Sequence, residues 1–130
     1  MFPPDEFDKF LLLLEKIETD KRYKLSAYGF VLSSLNHIVS ELDKPRHISG
    51  RELAIGVRDL AIEEFGPMAL MVLEKWGIRQ TKDFGNIVFD LVDLEILATQ
   101  EEDQIEDFDN IYDFTEAFNT NYFAFQDFDL

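Results

Sequence analysis

Thr81-Lys82-Asp83-Phe84-Gly85-Asn86-Ile87-Val88-Phe89-Asp90-Leu91-Val92-Asp93 is the stretch on which the fold turns. Its apolar residues do not alternate as a half-buried strand requires. Phe84, Ile87, Val88 and Leu91 form one helical stripe, and Phe89, Val92 and the following Ile96 form another. Only Asn86, Asp90 and Asp93 are left for water, so the spacing predicts a central helix with neighbours on two sides. Thr81 is expected to cap this helix, and Asp83 in its first turn suits the positive end of the helix dipole.

Upstream, Gly and Pro punctuate further helices. Pro67 to Trp76 reads as a short fourth helix with Met68, Val72, Leu73 and Trp76 inward and Gly77 as its stop. Trp76 is expected to anchor the core. Phe65-Gly66-Pro67 reads as a sharp corner after a third helix, with Gly66 at the C′ position. The stripe of that third helix is Leu53, Val57, Leu60, Ala61 and Phe65, and Gly56 on the same face predicts close approach of another backbone. Ser49-Gly50-Arg51-Glu52 matches a capping box at its start. A second helix spans about Ser26 to Leu42, with Tyr28, Val31, Leu35, Val39 and Leu42 inward and Ser33, Asn36, Ser40 and Glu41 outward, before Pro45. Phe7, Phe10, Leu11, Leu14 and Ile17 predict a first helix from near Asp5.

The expected fold class is therefore mainly α: a compact helical domain of about five helices over residues 1–98. The last three of them, with a wing from Ile105 to Tyr112, are open to a winged-helix reading. Residues 99–130 form an acidic, Phe-rich C-terminal segment expected to pack on the core or on a partner, with a short helix near Thr115 to Phe118.

Charge separates the two parts. Residues 1–98 hold all 12 Lys and Arg against 17 Asp and Glu, whereas residues 99–130 hold 10 acids and no base, for a chain total of −15. Such a field repels phosphate backbones and disfavours nucleic acid, and Asp90 and Asp93 are the wrong side chains for a helix that reads bases. A basic protein partner, or simple solubility, fits better. With 130 residues and 46% hydrophobic content the chain is expected to build one core. It has no Cys for disulfides or thiolate metal sites, and neither a signal peptide nor a membrane span is read, so a cytoplasmic location is expected.

The densest polar cluster is Arg46-His47-Ile48-Ser49-Gly50-Arg51-Glu52. Its Ser and Glu are accounted for by the capping box, and no Gly-x-Ser-x-Gly elbow accompanies them. His37 is expected to pair with Glu41 one helical turn on. The His spacing does not suit a metal, and Gly50, Gly56, Gly66, Gly77 and Gly85 are spread singly, with no phosphate-cradling loop. No catalytic residue, cofactor or metal ligand is assigned. An enzyme of unrecognised class would need the candidate polar cluster Arg22, Arg46, His47, Glu52 and Arg58 to converge in a pocket, with Glu52 or Asp83 as its acid. The candidate partner-binding residues are Phe123, Phe125, Asp127, Phe128 and Asp129, whose rings and carboxylates suit a basic-rimmed groove.

Several blocks occur in order along the chain: Arg22-Tyr23, Ala27-Tyr28, Phe30-Val31, Arg46-His47-Ile48-Ser49-Gly50-x-Glu52-Leu53, Phe65-Gly66-Pro67-Met68-Ala69, Trp76-Gly77-Ile78, Thr81-x-Asp83-Phe84-Gly85-x-Ile87-Val88-Phe89 and Tyr112-Asp113-Phe114-x-Glu116-Ala117-Phe118. In these the sequence resembles a family of uncharacterised small acidic bacterial proteins. The resemblance implies a bacterial cytoplasmic protein and assigns no activity; the last dozen residues lie beyond it. The expected function is a non-enzymatic protein-interaction module or small accessory subunit of a larger bacterial assembly. The alternatives are a winged-helix-like regulator, a nucleic-acid mimic, or the unrecognised enzyme. A contiguous basic face of Arg46, Arg51 and Arg58 beside the central helix would favour nucleic acid, and scattered bases would favour protein.

Overall fold

The structure, a computed structural model, describes residues 4–98 and 103–118. Its elements are α1 (Pro4–Asp20), α2 (Leu25–Ser40), α3 (Gly50–Phe65), a 3₁₀ turn (Gly66–Met68), α4 (Ala69–Lys75), α5 (Thr81–Asp93), a second 3₁₀ turn (Ile105–Phe108) and the single turn α6 (Phe114–Ala117). The fold is mainly α, and no strand occurs among the described residues. The expected wing is thus corrected. Ile105 to Phe108 coil into a 3₁₀ turn because the Asp107 carboxylate accepts the Gln104 N–H at 3.0 Å, the Asp107 N–H donates to the Gln104 carbonyl, and Phe108 turns into the core.

The central position of α5 holds. Phe84, Ile87 and Leu91 are fully buried, α2 and α3 pack against the helix, and the Ile105–Phe108 turn covers another side. Phe108 enters a slot between two glycines: a Cβ at Gly85 would come within 2.9 Å of its ring, and one at Gly50 within 3.1 Å. Thr81 does not cap α5. Gln80 is the N-cap, and Asp83 Oδ2 accepts the backbone N–H groups of Arg79 and Gln80 at 2.7 and 3.0 Å. The Thr81 hydroxyl is instead buried, donating to the Phe108 carbonyl at 2.6 Å and accepting the Ile111 N–H at 3.1 Å. It fastens the C-terminal segment to α5. Phe108, Phe114 and Phe118 join the same core as the preceding helices, and Tyr112, Phe114 and Phe118 lie against one another at centroid distances of 5.2–6.2 Å.

The capping box of Ser49 and Glu52 is present as read. The Phe65-Gly66-Pro67 corner opens a 3₁₀ turn before α4, so the fourth helix starts at Ala69 instead of Pro67 and leaves Met68 exposed. Trp76 packs against Phe30 in a tilted contact and against Phe65 edge to face, with centroids 5.5 and 5.7 Å away. The neighbour at Gly56 is the Ile38 side chain of α2 and not a backbone. Val39 on α2 is exposed, and no ion pair joins His37 to Glu41 among the described residues.

Two expectations about faces are overturned. Asp90, assigned to the water-facing band of α5, is only 6% exposed. On α1 the predicted stripe is rotated: Leu13 is buried and Ile17 half-buried, while Phe10 and Leu11 face outward. The same contacts explain both. Lys9, Leu13, Lys16 and Ile17 share one side of α1, and that side lies on the body. There Lys9 Nζ donates to the Glu95 carbonyl at 2.9 Å, and Lys16 Nζ lies 3.4 Å from Asp90 Oδ1.

Candidate functional site

The polar cluster expected from the sequence is divided by the fold. Arg46 and His47 stand on the rim of a groove of about 240 Å³ between α2, α3, α5 and the Ile105–Phe108 turn. Leu35, Ile48, Leu53, Val88 and Phe89 are among the apolar residues lining it. Arg46 forms a fork with Glu52, Nη1 to Oε1 at 3.0 Å and Nη2 to Oε2 at 2.6 Å. His47 Nε2 lies 3.1 Å from both carboxylate oxygens of Asp103, joining the α2–α3 loop to the C-terminal segment.

Arg22 and Arg58 are elsewhere. Arg22 bridges Asp20, at 2.7 Å, and both Asp90 oxygens, at 3.3 Å. Arg58 pairs with Asp59 at 2.9 Å and lies over the Tyr112 ring at 5.6 Å. Asp83 is engaged in capping and accepts the Tyr23 hydroxyl at 2.6 Å. The five residues therefore do not converge. Among the described residues no group of His, Asp and Glu could hold a metal ion. Of the bases Arg46, Arg51 and Arg58, the first and last are each held by a neighbouring carboxylate.

The Arg46 guanidinium and the Ser49 N–H together hold the Glu52 carboxyl down at about 2, from an ordinary 4.5. With the folded value below the unfolded one, the stabilisation is complete above about pH 4.5. It is lost as the pH falls through about 2. Arg46→Gln is expected to raise the carboxyl midpoint of Glu52, followed by NMR, by about one unit. An unmoved midpoint would show that the guanidinium is not the cause.

The buried polar centre lies under α1. The Asp90 carboxylate accepts the Tyr28 hydroxyl at 2.7 Å and faces Arg22 and Lys16. Beside it, Tyr23 donates to Asp83 and accepts from Asn86 Nδ2 at 2.8 Å. Burial first, and then the carboxylate each hydroxyl donates to, raise both tyrosines well above the ordinary phenol range, so they remain neutral donors. No buried polar side-chain atom lacks a partner here, and the centre works as a clamp for α1 and the α1–α2 turn.

With both lysines of α1 turned inward, the exposed residues from Asp8 to Glu18 are all apolar or acidic. Phe10, Leu11 and Leu12 are 44%, 44% and 47% exposed, a run of large apolar side chains that burial statistics place inside. Asp8, Leu11, Leu12, Leu14, Glu15 and Glu18 line one shallow concavity. The stripe read from the sequence contained Phe10 and Leu11 but assigned them to the core and did not include Leu12. The candidate partner-binding residues Phe123, Phe125, Asp127, Phe128 and Asp129 lie outside the described residues, as does the side chain of Phe7. Among the described residues no helix is long and apolar enough to cross a membrane. No family model, curated protein or solved structure matches this chain, so its function rests on the geometry of its own surface.

Proposed function

We propose that the protein is a non-enzymatic interaction module, a small accessory subunit of a bacterial cytoplasmic assembly, and that α1 is its docking element. The observation that carries this is the exposed run Phe10-Leu11-Leu12 on a helix clamped to the body from its other side. Leaving three large apolar side chains nearly half exposed is unfavourable by roughly 0.7–1.5 kcal/mol each, about half the value for full exposure. A partner covering the strip recovers part of that, and the clamp holds the helix in place beforehand, which lowers the ordering cost of binding. The bacterial and cytoplasmic setting is the one implied by the resembling motif blocks.

The test is the double variant Leu11→Ser/Leu12→Ser. Both residues are nearly half exposed and neither belongs to the buried core, so its melting temperature is expected to stay within about 2 °C of the parent, in line with surface substitutions. Proteins co-purifying with the parent from its native cell would be identified, and the direct contact rebuilt from purified components. That contact is expected to be lost in the double variant. A partner that binds both forms equally would refute α1 as the docking element.

A further inference from the structure

Resting on that reading, we infer that the α1 strip receives a basic amphipathic helix of a partner protein, with Lys or Arg flanking its apolar face. Three occupants compete for the strip, and charge separates them. Asp8 and Glu15 stand one turn before and after the Leu11–Leu12 pair, Glu18 continues the same side, and all three are exposed. The two lysines within α1 are bound on the opposite side, to the Glu95 carbonyl and to Asp90.

A second copy laid strip to strip would set these three acids against three identical ones, on chains that each carry −15. The chain's own residues 119–130 bring rings, but also Asp127 and Asp129 and no base. Both occupants meet like charge at the rim. A helix with a central apolar pair and basic residues one turn to either side meets opposite charge at every flanking position. Its apolar pair also meets Leu11 and Leu12 at the helical spacing of i, i+3, i+4 and i+7. The same sign excludes anionic membranes and nucleic acid as occupants, since both would bring negative charge to an acidic rim.

The experiment uses the full chain and two synthetic helical peptides with one shared leucine face, flanked by Lys in one and by Glu in the other. Binding is read by fluorescence anisotropy at about 50 and about 300 mM salt, across the range where screening acts on exposed charge. The Lys-flanked peptide is expected to bind the parent and the Glu-flanked peptide to fail. Leu11→Ser/Leu12→Ser is expected to weaken binding by about ten-fold or more, the loss corresponding to one unburied leucine. Asp8→Lys/Glu15→Lys/Glu18→Lys is expected to reverse the preference between the peptides.

Each alternative result is decisive. If the charge-reversed chain still prefers the Lys-flanked peptide and the leucine variant does not bind it, the inferred chemistry is wrong and the docking strip stands. If the leucine variant binds as well as the parent, attraction comes from overall charge and the strip itself is refuted. Binding of neither peptide, or a parent dimer in sedimentation that the leucine variant abolishes, overturns the inference in favour of another occupant.

Discussion

Asp90→Ala is expected to destabilise the protein by about 2–4 kcal/mol, nearer the range of a broken buried ion pair than of an exposed one. At roughly 3–5 °C per kcal/mol for a domain of this size, the melting temperature should fall by about 6–20 °C. The loss has separable parts. The Tyr28 hydroxyl, in a residue only 1% exposed, would be left without its acceptor, a cost of about 1–3 kcal/mol. Arg22 and Lys16 would lose their shared anion, although both side chains keep substantial contact with water and contribute less for that reason. Tyr28→Phe removes only the hydroxyl and should cost about 1 kcal/mol. Asp59→Ala breaks an exposed pair and should stay within about 0.5 kcal/mol. Chemical denaturation of the four proteins decides the matter: if Asp90→Ala and Asp59→Ala shift alike, Asp90 is not the clamp described. The same variant bears on function, because Lys16 holds α1 to the body through this carboxylate. Docking at the α1 strip should weaken even where most of the protein remains folded.

Gly77→Ala is expected to cost about 3 kcal/mol or more, from two sources. Gly77 has φ +97°, outside the usual range of residues with a Cβ, and an added Cβ would run into the Arg22 carbonyl oxygen, with the Arg22 carbonyl carbon and the Tyr23 ring each at 3.3 Å. Backbone cannot swing aside as a flexible side chain can. Gly66→Ala separates the two sources. Its φ is also positive, at +53°, but open space surrounds it, so it carries backbone strain alone at about 1–3 kcal/mol. The Gly77 variant should therefore be the less stable by at least about 1 kcal/mol. Equal losses would mean that the close approach to Arg22 is unimportant. The approach has a purpose in the fold: with the bond from the Lys24 N–H to the Trp76 carbonyl at 3.1 Å, it sets the α1–α2 turn against the end of α4. That setting places Arg22 and Tyr23 beside Asp90 and Asp83.

The groove carrying Arg46 and His47 contributes differently. Its rim groups are already matched, Arg46 by Glu52 and His47 by Asp103, which ties the α2–α3 loop to α3 and to the C-terminal segment. The α1 strip has the opposite character: its acids are flanked by exposed leucines and its lysines are used elsewhere. That contrast supports the proposal that docking takes place on α1.

What the sequence determined by itself is local. The helices, their approximate limits, the Ser49–Glu52 box, the Phe65-Gly66-Pro67 corner and the stop at Gly77 each depend on residues a few positions apart, so period and capping chemistry disclose them. The wing failed because Ile105 to Phe108 alternate weakly and the cap made by Gln104 and Asp107 is equally local. Which way a face turns was decided only by the tertiary structure. Leu11 to Leu14 are all leucine, so no periodicity can select Leu13 as the buried one; the choice falls to Lys9 and Lys16 finding acceptors on α5 and just beyond it. Asp90 reads as solvent-facing because its partners Tyr28 and Arg22 lie 62 and 68 residues away in the chain. A buried carboxylate is stable only with such partners, and nothing within a helical turn of Asp90 announces them.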